Sequence, residues 1–595
     1  MPRGARSALL FGLPLALLLA LQLRALDYAF VWTDDAEYLH GSVLRPPGEI
    51  ARAWLEPLHR VSERRAQQSA QPYYRPLQVV VSSLVAQQLP REPRSFRSVS
   101  LALACAALAL FGALAGSLHR SAAAGALAAC VVAAHPGTLE SYVWIGGQSA
   151  ALAAVFVLAG VGAGAAALDA ARRGRALALG AGALACLLLG LASKENAAVL
   201  PALLAAWACS AARMGRDLRR VARRMGALVG AELALVAGYL LWWRPRVLGG
   251  ALTGAPPLGG SAETQLATSL AFWPEALAWL FAPLRSNTSD AVRVVASLGD
   301  PAALAGLALA GLSAAAWLAL LWRRQGVAAF GLAWLWLAFL PTSGLVPLLH
   351  LRSERNLFLS LFGAALLWPC AGPLLRRAGA PRAVCAGAAA LLVLGLAQRS
   401  WQRIPDWRST RALFTRDVAA DPQHREGRMN LALEAFAEGR PQEAQRQLAE
   451  LFALRAERGR VASYLRDESL FELACLVSRS LGDERAALEL YERELQAPGL
   501  LFRNPGFFDC LVPLLERAGR FADAARVHAG LHQLTQGDAR HALGAARNHL
   551  KAGQLDAARA WLARIPPGSA SAAGFAPQIA RIERALEAAR APALR

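Results

Sequence analysis

A chain of 595 residues that is 55% hydrophobic and only 18% charged, with a mean hydropathy of +0.32, is too apolar for a string of soluble domains. The formal charge of +21 would point to nucleic acid if the basic residues shared one stripe; they fall instead in short clusters between apolar runs, so no nucleic-acid partner is expected. Of the 63 basic residues only Lys194 and Lys551 are lysine, and a lysine inside the apolar region therefore stands out.

The first apolar run, 7–26, follows Arg3 and Arg6. It is long for a signal-peptide core and no small-residue cleavage site follows, so it is expected to remain as a first span. At about 20 apolar residues per crossing, further spans fall near 96–117, 121–135, 149–168, 176–192, 197–212, 225–243, 301–322, 326–341, 356–373 and 383–398, eleven in all. Basic clusters at His119/Arg120, Arg172/Arg173/Arg175, Arg213 through Arg224, Arg323/Arg324 and Arg376/Arg377/Arg382 recur with two spans between neighbours. Retained Lys and Arg mark the cytoplasmic face. An odd number of spans starting inside leaves the last third outside, with long outer connections at 27–95 and 244–300. Residues 76–89 are apolar, but fourteen residues are too few to cross, and counting them would put five arginine clusters outside. They are expected as an interfacial helix on the outer surface.

After Arg399 the character changes. Paired helices recur with a glycine turn between them, at Gly439, Gly482, Gly519 and Gly553, spaced 43, 37 and 34 residues apart. Tetratricopeptide repeats have a period of about 34 residues, and stacked repeats build a continuous superhelix. The chain is thus expected to be all-α, with a membrane domain over 1–400 and a repeat domain over 401–595. Six cysteines fall in or beside apolar spans; Cys475 and Cys510 lie in the tail without CxxC spacing, so neither metal nor disulfide roles are expected.

The out-of-place polar residues fall on the outer connections. Asp34-Asp35 opens the first of them; a carboxylate there can take the proton of an attacking hydroxyl and a second can orient substrate or bind a metal, while the plain alternative is a helix N-cap in solvent. Arg75, in the run Tyr73-Tyr74-Arg75-Pro76-Leu77, can fork onto a lipid phosphate or snorkel to headgroups. His135 and Glu140 bracket the next turn, with Pro136 as breaker, and a capped loop serves there as well as a proton or metal role. Lys194-Glu195 joins two spans, where an unpaired pair is costly; lysine scarcity favours a phosphate-neutralising role over a structural ion pair. Arg352, Glu354 and Arg355 stand at a span entrance at headgroup depth.

In order, Asp-Asp, YYRPL, HPGTLE with Gly147-Gln148, SKEN, FLPTSGL with SERNLFL, and a repeat tail opening with PDWRSTRALF resemble one family. It is the polytopic O-mannosyltransferases that carry transmembrane spans and tetratricopeptide repeats, within the GT-C class. Two positions depart from it: Gly147-Gln148 stands where an Arg-Asp type of pair is usual, and Asn356-Leu357-Phe358 where Tyr is favoured. The resemblance implies inverting transfer of a hexose, typically mannose, from a polyprenyl-phosphate carrier to protein Ser/Thr hydroxyls outside the cytoplasm, in a bacterial inner membrane. It implies Asp34 or Asp35 as base. Charge and topology add Lys194, Arg352 and Arg355 as holders of the carrier phosphate, and Arg75, His135, Glu140, Glu195 and Glu354 as further substrate-site residues. A divalent metal stays open, and the repeats would present the protein acceptor. The rival expectations are a membrane-anchored repeat scaffold for envelope assembly, without catalysis, and an O-antigen-ligase-like transferase.

Overall fold

The computed structural model describes residues 3–31, 35, 43–58, 73–248, 257–284, 288, 292–348, 350–454, 461–462, 467–485, 488–489, 505–534, 537–565 and 575–589. These residues are helical throughout, apart from one antiparallel ladder of two-residue strands, β1 (Val292–Arg293) and β2 (Val461–Ala462). Two compact units result. The first covers Met1–Val61, Ala70–Asn430 and Leu454–Tyr464; the second covers Ser62–Ser69, Leu431–Ala453 and Leu465–Arg595.

α-Helices of eight residues or more are numbered in chain order. In the first unit they are α1 (Arg3–Gln22), α2 (Pro76–Gln88), α3 (Pro93–His119), α4 (Ala122–Ala134), α5 (Gln148–Asp169), α6 (Arg173–Ser193) and α7 (Leu200–Arg213). There follow α8 (Leu218–Gly238), α9 (Ala262–Phe281), α10 (Pro301–Trp322), α11 (Gly326–Phe339), α12 (Phe358–Arg377), α13 (Arg382–Arg403) and α14 (Thr410–Ala420). Local chemistry sets their ends. Proline opens α2, α3 and α10, where the missing N–H costs nothing. Side chains of Ser121, Asp217 and Asp300 accept from the first free amides of α4, α8 and α10, and Ser261 with Thr264 forms a capping box on α9.

Among the described residues eight helices are long and apolar enough to cross a membrane, so this is a membrane protein. The pair Ala122–Ala134 and Pro136–Tyr142 is apolar enough as well but is bent by 68° at the His135-Pro136 junction, the geometry of a broken span or of a re-entrant loop. Two more apolar helices, Leu10–Ala25 and Gly326–Thr342, are shorter. Lipid-facing character is visible in large exposed side chains such as Leu241, Trp322 and Leu391. Where helices meet inside the bundle, small residues let backbones touch. A Cβ on Gly125 of α4 would lie 2.6 Å from the Gly112 carbonyl oxygen of α3, and one on Gly363 of α12 would lie 2.4 Å from the Leu335 nitrogen of α11.

Three segments gain detail here. The segment expected as an interfacial helix, α2, packs one face on protein, where Val79, Val85 and Ala86 share a cluster with Val43, Phe96 and Ile145, and leaves Leu84 exposed. The connection 244–300 holds a 20-residue helix, α9, whose Phe272, Trp273, Ala276 and Leu277 are buried. Finally, by packing the units divide at Asn430/Leu431, thirty residues beyond the change in sequence character at 400/401. The reason is a buried network: Arg403 of α13 pairs with Asp417 of α14 at 2.7 Å, and Asp417 accepts from the Thr288 hydroxyl at 2.6 Å. That ties 401–430 to the membrane unit.

In the second unit the helices pair into hairpins, among them α18 (Pro505–Arg517) with α19 (Phe521–Leu534) and α20 (Ala539–Lys551) with α21 (Leu555–Leu562). Gly439, Gly482, Gly519 and Gly553 all have φ between +70° and +74°, the left-handed cap that ends a helix and turns the chain. The cores are apolar ridges such as Leu511, Leu515 and Leu531, and Leu543, Ile582 and Leu586. Cys475, on the helix Asp467–Ser480, is disulfide-bonded, against the expectation of free thiols. Spacing along the chain misled because helices brought together by the fold can join cysteines that lie far apart in sequence.

Candidate functional site

Lys194 sits where α6 stops and a 3-10 turn, Glu195–Val199, leads into α7. Its backbone is extended, with φ −159° and ψ 139°, which lifts the side chain out of the helical stack. The residue is 7% exposed. Its ammonium makes no hydrogen bond or ion pair with any described residue. Burial above all, with Arg75 and Arg355, pushes its pKa down to about 7, while Glu195 and Glu140 pull the other way. Three cations and two carboxylates therefore converge on one buried point.

Arg75 precedes Pro76, the first residue of α2, and the rest of its motif positions it. Tyr73 lies under the guanidinium at 4.3 Å, and the Tyr74 hydroxyl donates to the Trp54 carbonyl at 2.8 Å while accepting from the Trp243 indole at 2.9 Å. Arg75 then reaches Glu195 at 3.5 Å and the Ser149 hydroxyl at 3.3 Å.

Glu140 is fully buried and satisfied. It accepts from the Ser353 hydroxyl at 2.8 Å and from the Arg355 amide at 2.8 Å, and it pairs with the Arg355 guanidinium. Arg355 also stacks on the Trp144 ring at 5.0 Å. The glycines of this loop are there for clearance: a Cβ on Gly147 would lie 2.1 Å from the Glu140 carbonyl oxygen, and one on Gly137 would lie 2.0 Å from the Trp279 ring.

Other expected residues are placed differently. His135 is a loop cap: its Nδ1 accepts from the Gly137 amide at 3.0 Å and its ring meets Trp279 edge-on at 5.0 Å. Asp35 is 0% exposed, and its two oxygens accept from the Val31 and Gly146 amides at 3.0 and 3.1 Å. It clasps the first loop onto the Gly146 turn. Asp34 lies outside the described residues. Arg352 pairs with Glu275 of α9 and, at 3.6 Å, with Asp421; with Glu354 it lines a separate cavity of about 700 Å³.

Several contributors escaped the sequence reading. Arg97 of α3 is buried and donates to the Val143 carbonyl at 3.0 Å, the Ala29 carbonyl at 2.6 Å and the Tyr28 carbonyl, binding the start of the first loop to the second. Trp144, Trp243 and Trp279 carried no signal beyond being aromatic near a span end. No cluster of three or more His, Cys, Asp or Glu placed to hold a metal occurs among the described residues.

No family model matches the chain, and no curated protein or solved structure does either. The reading of the site therefore rests on its chemistry.

Proposed function

We propose that this protein is a membrane glycosyltransferase that moves a hexose, typically mannose, from a polyprenyl-phosphate carrier to protein Ser/Thr hydroxyls outside the cytoplasm. The observation that carries the reading is the buried, unpartnered ammonium of Lys194 between the guanidiniums of Arg75 and Arg355. Buried charges are normally paired. A cationic nest whose central member has no partner is built for an anion that arrives, and beside apolar spans a lipid phosphate has the right chemistry.

In this reaction the acceptor hydroxyl oxygen attacks the anomeric carbon, the bond from that carbon to the phosphate oxygen breaks, and the hydroxyl proton passes to a carboxylate. The lipid phosphate leaves with its charge held by Lys194, Arg75 and Arg355, which is where transition-state stabilisation would act. We assign the base to Asp34, because both Asp35 oxygens are already engaged by backbone amides. All eleven apolar helices are read as crossings, and the tail hairpins as tetratricopeptide repeats that recruit the acceptor. The disulfide at Cys475 supports an oxidising compartment for the tail.

The test is binding and turnover of a short-chain polyprenyl-phosphate mannose by the full chain in nanodiscs. Lys194→Met is expected to weaken binding by roughly tenfold to a hundredfold, the worth of a charge-assisted contact. Asp34→Asn should bind normally and not transfer. Unchanged affinity in the Lys194 variant sinks the assignment, and a tail that recruits envelope proteins without any transfer would favour the scaffold.

A further inference from the structure

The cavity of about 700 Å³ is lined from α9, α13, α14 and the turn before α12, and two of its cations are unlike the others. Arg352 is held by Glu275 and Asp421, and Arg403 by Asp406 at 3.0 Å and Asp417 at 2.7 Å. The acids on this wall are thus engaged with those two guanidiniums, and buried Glu354 faces Arg403 as well. Arg399 and Arg416, in contrast, make no hydrogen bond or ion pair with any described residue, and both are exposed.

Their positions are regular. Arg399, Gln402 and Arg403 lie at i, i+3 and i+4 on one face of α13, just past its apolar run of 383–398. Arg416 enters from α14. From α9 come Phe272, Ala276 and Trp279 at i, i+4 and i+7, with Leu357 beside them; Glu275 on the same helix is taken up by Arg352. A polar stripe with two spare guanidiniums facing an apolar stripe, at the end of a membrane helix, matches an amphiphile with an anionic head.

We propose that this cavity is a second binding site, taking the phosphate head of an anionic lipid between Arg399 and Arg416 with its first apolar carbons along α9. It is separate from the Lys194 nest. Glu354 faces the cavity while the adjacent Arg355 pairs with Glu140, so the turn Glu354–Asn356 stands between the two.

The same chemistry is offered by a polyprenyl phosphate and by an anionic phospholipid, and the experiment separates them. Full-length protein in phosphatidylcholine nanodiscs is titrated with farnesyl phosphate, and retained ligand is counted by native mass spectrometry. Wild type is expected to hold two equivalents, Lys194→Met one, and the Arg399→Gln/Arg416→Gln double variant one, with its lost site weakened at least roughly tenfold. Both arginines are exposed and unpaired, so the variant folds. If Lys194→Met changes nothing while the double variant loses the single bound equivalent, the cavity site stands and the donor nest falls. Displacement from the cavity by equimolar phosphatidylglycerol keeps the site and assigns it to bulk headgroups; resistance assigns it to a phosphomonoester. Equal farnesyl phosphate retention by the double variant and wild type overturns the proposal.

Discussion

Lys194 shows how far one residue can be read. Its rarity in an arginine-rich chain picked it out, and the structure adds that it is buried with no hydrogen bond or ion pair to any described residue. With a pKa of about 7 before ligand arrives, it is charged below neutrality and neutral above it. A bound phosphate favours the ammonium and raises that value, so binding takes up a proton. Donor affinity should therefore be flat below about pH 7 and fall roughly tenfold per pH unit above it. A titration by pH that is flat from 6 to 9 in wild type would refute this. Glu140 was singled out as a substrate-site residue, but its partners, Ser353 and Arg355, lie more than two hundred positions away. Removing one side of a buried pair costs about 3–5 kcal/mol. Glu140→Ala should accordingly lower the melting temperature and loosen donor binding together; lost affinity at unchanged stability would put Glu140 on the ligand. Asp35 is the opposite lesson. The resemblance offered it or Asp34 as the base, and its two amide hydrogen bonds hold the first loop to the Gly146 turn.

At the scale of elements, apolar runs located the helices well because length and hydropathy are local properties. Eight of the expected spans pass as helices long and apolar enough to cross, 197–212 among them despite its brevity; the other three, 7–26, 121–135 and 326–341, are a short helix, the bent pair and a second short helix. What stayed hidden was anything decided by neighbours. One face of the segment 76–88 was buried by Val43, Phe96 and Ile145, and α9 became a helix that supplies Trp279 to the His135 turn. Helix contacts give a sharp contrast. Gly125→Leu must drive α4 off the α3 backbone and should cost about 1–3 kcal/mol or more. Gly162→Ala in α5 meets nothing within 4 Å and should stabilise by up to about 1 kcal/mol. Thermal unfolding of the two variants side by side checks both, and equal behaviour would contradict the packing of α3 on α4.

For the whole molecule, the glycine turns of the tail were visible in the sequence because a left-handed cap demands that residue, while the boundary at Asn430/Leu431 was not, since it depends on Arg403, Asp417 and Thr288 meeting. The disulfide at Cys475 should contribute about 2–4 kcal/mol to the tail. Cys475→Ser, or a reductant on wild type, is expected to lower the tail's unfolding midpoint and leave the membrane unit's unchanged; a tail indifferent to reductant would argue against the bond. One feature of the membrane unit bears on any assay. In α10 and in the stretch Arg382–Arg408 only 11% of the most apolar window is covered by protein. Solvating tails complete their packing, and α13 carries Arg399 and Arg403. Harsh short-chain detergents will strip those helices first, so a solubilised sample can keep its core intact while the wall bearing these arginines has already gone slack.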